Sequence, residues 1–146
     1  MPIAIKECDS GIGLIIESRG TVTDKDLVDP LELRLTKDKE KFKTYKYILI
    51  DQFALTTLDV SDATIDHIAG MIADVSSINP DSILAMVAYV SYGANIDLIG
   101  RLSRMRRLFI NQSCWESLQF KTRPQAVTWI KKKVNDKFGI DDLSFD

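Results

Sequence analysis

The most constraining feature of this sequence is its alternation of short apolar runs with longer segments whose apolar residues recur at helical spacing. Two of the runs, YKYILID at 45–51 and ILAMVAYV at 83–90, are rich in β-branched, aromatic and other apolar residues. Such runs are typical of strands buried on both faces of a sheet. Strands that alternate with helices favour parallel neighbours with helices covering the sheet, so an α/β fold is predicted.

The N-terminus departs from that alternation. Residues 3–8 and 12–18 form two strand-like runs separated by Asp9, Ser10 and Gly11, which is hairpin punctuation. The chain is therefore predicted to open with an antiparallel hairpin.

Four helices follow from capping signals and apolar stripes. The first begins either at the capping box of Thr23 and Asp26 or at Asp29 before Pro30, with a kink or turn expected before Pro30. Ser61 caps the second, and the fourth follows Thr122 and Gln125. The predicted buried stripes are Leu27, Leu31 and Leu35 in the first helix, Ile65, Ile68, Ile72 and Val75 in the second, Leu98, Leu102, Met105 and Phe109 in the third, and Ala126, Trp129 and Ile130 in the fourth.

With a last strand at 115–120, the predicted order is β-β-α-β-α-β-α-β-α, an α/β fold with a single mixed β-sheet. We assign residues 1–134 to one α/β domain and residues 135–146 to an acidic C-terminal extension. The apolar side chains of that extension are expected to dock on the same chain or on a second copy, because leaving them in water is costly.

Composition narrows the function classes. The net charge of −2 argues against a protein that binds nucleic acid, because phosphate contacts need an excess of Lys and Arg. The chain has a single histidine, His67, placed off the apolar stripe of its helix and expected at the surface, and it lacks the common nucleophile, nucleotide and zinc motifs. We therefore expect no enzyme, no cofactor and no metal. The absence of an export signal or a membrane-spanning run predicts a soluble, cytoplasmic protein whose cysteines, Cys8 and Cys114, are reduced and buried.

Candidate binding residues cluster where strands lead into helices, since ligands of open α/β sheets favour the carboxyl ends of the strands. They are Asp51, Thr57, Asp59 and Ser61 after the central strand, Tyr92 after the next strand, and Arg101, Arg104 and Arg107 on the third helix. Arginines there could hold carboxylates or phosphates. The structural alternatives are a Ser61 that only caps its helix and a basic face that pairs with the chain's own acids.

The segment YILIDQFALTTLDVSDATIDHIAGM resembles the central strand, loop and helix of STAS domains, the anti-sigma-factor-antagonist fold. The order of elements, the Tyr92-Gly93 turn followed by arginines, and the ending SLQFKTRPQAVTWI resemble the bacterial STAS-like group over residues 3–134, a group related in fold to lipid-binding domains. In STAS antagonists the second serine of the turn accepts phosphate, and the resemblance places Ser61 there. Val60 and Asp62 stand where that turn has Ser and Gly.

The resulting hypothesis is a non-catalytic regulatory or scaffold module that binds a protein partner through a loop at residues 53–62 and the third helix. The alternative is a carrier or sensor of a small anionic or lipid-like ligand, with Arg104 and Arg107 holding a head group beside an apolar pocket. A homo-oligomer is compatible with either. An unrecognised enzyme is the third class, disfavoured by the missing titratable groups.

Overall fold

The strands and helices occur in the predicted order. A computed structural model describes residues 2–88 and 96–146 of the chain. The strands are β1 (Ile3–Cys8), β2 (Gly13–Thr23), β3 (Tyr47–Asp59), β4 (Ile83–Val87) and β5 (Glu116–Phe120), and the helices are α1 (Asp24–Glu32), α2 (Asp62–Ile78), α3 (Ile96–Gln112) and α4 (Arg123–Phe138). A π-helical turn, Leu33–Lys37, and a 3-10 turn, Lys39–Lys43, connect α1 to β3.

The five strands form one sheet in the order β1-β2-β3-β4-β5. β1 and β2 are antiparallel, as the hairpin pattern predicted, and the remaining pairs are parallel. Period-two alternation along the strands divides the core into two layers. Ile48 and Ile50 face the layer that contains α1, α2 and α3, whereas Tyr47 and Leu49 face the layer that contains α4.

The placement of the helices follows from crossover handedness. α1, α2 and α3 each connect two neighbouring parallel strands, and the strands lie in the sheet in their sequence order. Because such connections are right-handed, all three helices cover the same face of the sheet. α4 follows the last strand and connects to no further strand, so it can cover the opposite face, where Ala126, Ile130 and Val134 are buried.

The predicted stripes of the first three helices are buried in full. In α4, Ala126 and Ile130 are buried but Trp129 is only partly so, because it lies at the border of the stripe and packs on Phe120 with 5.5 Å between ring centroids. His67 lies at the surface as predicted, 3.8 Å from Glu32. Cys114 is exposed, which corrects the prediction of two buried thiols, while Cys8 is buried.

Two further predictions about local structure need correction. Thr23 and Asp26 form the capping box of α1, and Pro30 lies inside that helix without a preceding break. The irregularity comes after it, as the π-helical turn. The strand predicted to end at Asp51 continues to Asp59, because β2 also continues and pairs with it up to Thr23↔Asp59. Residues 53–59 are therefore strand, not loop.

The C-terminal extension docks on its own chain, as predicted. α4 runs to Phe138, past residue 134, and Gly139 ends it in the left-handed conformation with φ 70°. Beyond it Leu143 is buried, and Phe145 packs on Tyr47 with 5.0 Å between ring centroids. The Asp9 carboxylate accepts hydrogen bonds from the Ser144 N–H at 2.6 Å and the Phe145 N–H at 3.1 Å.

Candidate functional site at the junction of the second and third helices

Ser61 is the N-cap of α2. Its Oγ accepts a hydrogen bond from the Thr64 backbone N–H at 3.2 Å, which satisfies one of the unpaired donors of the first helical turn. Its own N–H donates to Oδ1 of Asp24 at 2.9 Å, and Asp24 is the first residue of α1. The predicted structural role of Ser61 as a cap is therefore confirmed, and the cap also connects two helices.

The side chain of Asp24 places a carboxylate of the same chain at the N-terminus of α2. The backbone N–H of Ser61 is the main cause of a lowered pKa for Asp24, with a smaller contribution from the charge of Arg101. Helix N-termini attract anions because backbone N–H groups and the helix dipole are directed outward there. In this chain an aspartate already occupies that position. A phosphate on Ser61 would be added beside Asp24 and Asp62, and like charges repel.

Two of the three predicted arginines hold α3 against α2. Arg101 donates from Nη1 to the carbonyl oxygen of Val60, directly before the cap. Arg104 donates from Nη2 to Oδ1 of Asp66 at 2.8 Å, and its Nε lies 3.7 Å from Oδ1 of Asp62. Within the predicted basic face, Arg104 is thus paired with acids of the same chain, and Arg101 with a backbone carbonyl.

Arg107 differs from the other two arginines. It is exposed and forms no ion pair with any residue of the described ranges 2–88 and 96–146. On the first turn of α3, Ile96 is 83% exposed and Ile99 is 40% exposed. An apolar pair and a cation therefore share the outer side of a helix whose inner side is fixed to α2. We call Ile96, Ile99 and Arg107, with the α2 N-terminus, the α2/α3 surface.

The other predicted binding residues divide between two places. Thr57 and Asp59 are exposed near the end of β3 and pair in the sheet with Thr21 and Thr23. Asp51 lies on the α4 side of the sheet instead, where its Oδ2 is 3.4 Å from Nη1 of Arg123. Tyr92 lies outside the described residues. The structure therefore brings Ser61, Arg101 and Arg104 together and separates Asp51 from them.

Asp51 belongs to a charged cluster that the sequence did not indicate. The first residue of α4, Arg123, also donates to Oε1 of Glu17 at 2.6 Å. This hydrogen bond is the main cause of the lowered pKa of Glu17. The register of β2 and β3 places Glu17 opposite Asp51, and the packing of α4 over these strands adds Arg123, 106 positions from Glu17 in sequence. The exposure of Ile96 and Ile99 could have been predicted from the sequence, because both lie off the apolar stripe that contains Leu98 and Leu102.

A narrow pocket of about 30 Å³ lies between the sheet and the layer of α1, α2 and α3. Its walls are apolar except for Ser18 and Gln52, both buried. Gln52 donates from Nε2 to Sδ of Met105 at 3.0 Å, and its Oε1 has no hydrogen-bond partner among residues 2–88 and 96–146. A volume of this size holds about one water molecule.

Within the described ranges, no cluster of three or more His, Cys, Asp or Glu side chains has a metal-binding arrangement. No helix of the described structure is long and apolar enough to cross a bilayer.

The solved structures that are similar to this chain include two crystal structures of low sequence identity. One is the crystal structure of an uncharacterized protein of the DUF3478 family with a SpoIIAA-like fold from Shewanella loihica, with a TM-score of 0.48 and 16% identity, covering 88% of this chain and 91% of that one. The other is a putative pilus assembly-related protein from Burkholderia pseudomallei, with a TM-score of 0.38 and 13% identity, covering 94% and 99%. No protein-family model matches the chain, and no curated protein matches it significantly.

Proposed function

We propose that this chain is a non-catalytic regulatory or scaffold module that binds a protein partner through the α2/α3 surface. The observation that carries the proposal is the exposure of Ile96 and Ile99 on a helix that is otherwise fixed by hydrogen bonds and ion pairs. Exposed apolar side chains on a rigid, polar-rimmed surface are typical of protein interfaces. Arg107 adds a cation that pairs with no residue of the described ranges, which favours a partner that carries an acidic residue.

Rigidity is the second support. The Arg101 contact to Val60, the Arg104 pair with Asp66 and the Ser61 contact to Asp24 join α1, α2 and α3 at one point. A surface ordered before binding loses less conformational entropy when the partner docks. In this proposal Ser61 and the two inner arginines position the surface, whereas Ile96, Ile99 and Arg107 contact the partner.

The alternative ligand class, a lipid-like or small anionic molecule, has less support. The interior cavity of about 30 Å³ accommodates no acyl chain, and Arg104 and Arg107 do not line it. Arg104 is also engaged by Asp66. The pocket that a bound lipid needs would have to be several hundred Å³ in volume, about ten times larger than this one.

The test is affinity capture with matched variants, followed by a binding measurement with the captured partner. Ile99→Ser removes part of the apolar pair, Arg107→Glu reverses the free charge, and Leu118→Ser is the control because Leu118 is 46% exposed on β5, outside the surface. Full burial of an isoleucine contributes about 2 kcal/mol, and only the exposed 40% of Ile99 is left for a partner to bury. Loss of that contact, about 0.8 kcal/mol, should therefore raise Kd about fourfold. Binding that Ile99→Ser and Arg107→Glu leave unchanged, or that Leu118→Ser abolishes, contradicts the proposal.

Ser61 has its own pair of variants. Ser61→Ala should cost about 1 kcal/mol of stability as a lost cap, whereas Ser61→Asp keeps a capping side chain. If Ser61 only positions the surface, the Asp variant binds the partner as the wild type does. If phosphate on Ser61 controls binding, the Asp variant changes Kd while stability is retained.

A further inference from the structure

The free edge of β1 presents unpaired backbone groups. The Arg19 N–H donates to the Pro2 carbonyl at 2.8 Å, and β1 pairs with β2 in the register Ile3↔Ser18. In an antiparallel ladder the bonded and non-bonded pairs alternate, so the N–H and C=O groups of Ile3, Ile5 and Glu7 point away from β2. No group of residues 2–88 or 96–146 bonds to them. Unpaired groups of this kind are a template for another strand.

A helical wall runs beside that edge. Ile3 and Ile5 share a groove of about 400 Å³ with Pro30 and Leu33, and Leu33 is 51% exposed. Arg34 donates to Oε1 of Glu7 at 3.0 Å. Both β1 and the crossover helix α1 run opposite to β2, so the strand and the wall advance in the same direction. Arg34 meets Glu7 near the end of β1, and Pro30, one turn earlier in α1, therefore lies nearer Ile3. The middle of β1, at Ile5, therefore lies next to Leu33.

The outer side of this wall has opposite charges on either side of Leu33. Asp29, Leu33 and Lys37 follow at four-residue spacing, are exposed, and border one surface depression. Neither Asp29 nor Lys37 forms an ion pair with a residue of the described structure. A two-fold axis through Leu33 would place Asp29 of each copy opposite Lys37 of the other. Glu32 also borders the depression, 3.8 Å from Nε2 of His67. Apart from Glu32, the charges of this surface are thus complementary to those of a second copy.

We propose that the β1 edge and the Asp29, Leu33 and Lys37 face form a homodimer interface. β1 of the two copies pairs antiparallel about Ile5, so that the outward groups of Ile3 meet those of Glu7 in the second copy and the sheet continues across the dimer. Leu33 meets Leu33 of the second copy beside the axis, with the two Asp29 and Lys37 pairs around it. Such an interface is isologous, as closed dimers require. It lies apart from the α2/α3 surface.

A strand of a different protein could pair with the same backbone groups. Its binding would not account for the opposite charges of Asp29 and Lys37, which lie symmetrically about the exposed Leu33. The observations therefore favour a second copy as the occupant. Charge reversal separates the two possibilities, because only a symmetric pair has its attraction restored when opposite reversals are combined.

The experiment is sedimentation equilibrium or light scattering of the full chain over a range of concentrations. In a homodimer, Asp29→Lys sets the introduced lysine opposite Lys37 at two symmetric places, and Lys37→Asp likewise sets the introduced aspartate opposite Asp29. Each variant should therefore weaken dimerisation by at least about tenfold. An equimolar mixture of the two variants should recover a heterodimer, because each of the two charge pairs across the interface then joins a lysine to an aspartate. The variant that carries both substitutions should recover a homodimer for the same reason. Leu33→Asp should give a monomer, while Leu118→Asp on the opposite sheet edge should not.

Thermal melting of every variant checks that the fold is retained, which is expected because all four positions are exposed. A wild-type chain that stays monomeric at its highest soluble concentration overturns the proposal. So does a dimer that Leu118→Asp disrupts and Leu33→Asp leaves intact, or a mixture of reversed variants that associates no better than either variant alone.

Discussion

Gly13 is the position where one methyl group should do the most damage. Gly13 is the first residue of β2, and a Cβ built on it would lie 2.0 Å from Cζ and 2.2 Å from the hydroxyl oxygen of Tyr47. Ordinary contact begins at 3.4 Å, so the ring would have to retreat by the difference, about 1.4 Å. Tyr47 is fully buried, so the ring has no solvent-filled space to enter. Its phenol donates to Oδ2 of Asp9 at 2.7 Å, the residue that also holds the C-terminal extension.

The cost of Gly13→Ala has two parts. Overpacking of a core costs about 1 to 3 kcal/mol, and loss of a hydrogen bond to a charged acceptor costs about 1.5 to 3 kcal/mol. We therefore expect a loss of about 3 to 5 kcal/mol in unfolding free energy, which lowers the melting temperature by on the order of 10 °C in a chain of this size. Thermal and urea unfolding followed by circular dichroism measure both quantities.

Two further variants separate the parts. Tyr47→Phe removes the hydrogen bond to Asp9 and keeps the ring. As a single substitution it should therefore cost only the free energy of that hydrogen bond. Combined with Gly13→Ala it should add little, because Cζ still clashes and the bond is already lost. Gly70→Ala is the control, since nothing lies within 4 Å of its Cβ position in α2, and it should stabilise the helix by up to about 1 kcal/mol. A Gly13→Ala protein that melts within about 2 °C of wild type would refute this reasoning.

Three other predictions concern the core, the extension and acid stability. Gln52→Leu should raise the unfolding free energy by about 1 to 2 kcal/mol, measured by urea denaturation, because the buried Oε1 has no partner and Nε2 contacts only the weak acceptor Met105. Deletion of residues 140–146 should cost about 2 to 4 kcal/mol through lost apolar burial and lost hydrogen bonds, and a melting temperature equal to wild type would contradict this. The hydrogen bond from Arg123 lowers the pKa of Glu17 in the folded state. The stabilisation of the fold by this ion pair is therefore complete above the unfolded-state pKa of about 4.5, and it is lost as the pH falls through the lower folded-state pKa. Glu17→Gln should therefore flatten the fall in stability between about pH 5 and pH 3 in acid titrations.

Periodicity and capping predicted most of the secondary structure because these signals are local. The continuous apolar run at residues 47–50 already predicts a strand buried on both faces. Ser61 and Thr122 each cap the helix that the following residues predict. The extension of β3 to Asp59 was missed because its residues do not form an apolar run. That segment is a strand because β2 pairs with it, which is a non-local contact.

The sequence by itself determined the element order, the antiparallel hairpin, the buried stripes of the first three helices and the cap at Ser61. Each of these features depends on residues that are close together in sequence, within one or two helical turns or within neighbouring strands of a hairpin. Only the tertiary structure decided which charges are free. Arg104 is neutralised by Asp66, 38 positions away, Arg123 by Glu17, 106 positions away, and Arg107 by no described residue. Ion pairing depends on which surfaces the packed helices bring within a few ångströms, because charge interactions between separated exposed groups are screened by solvent.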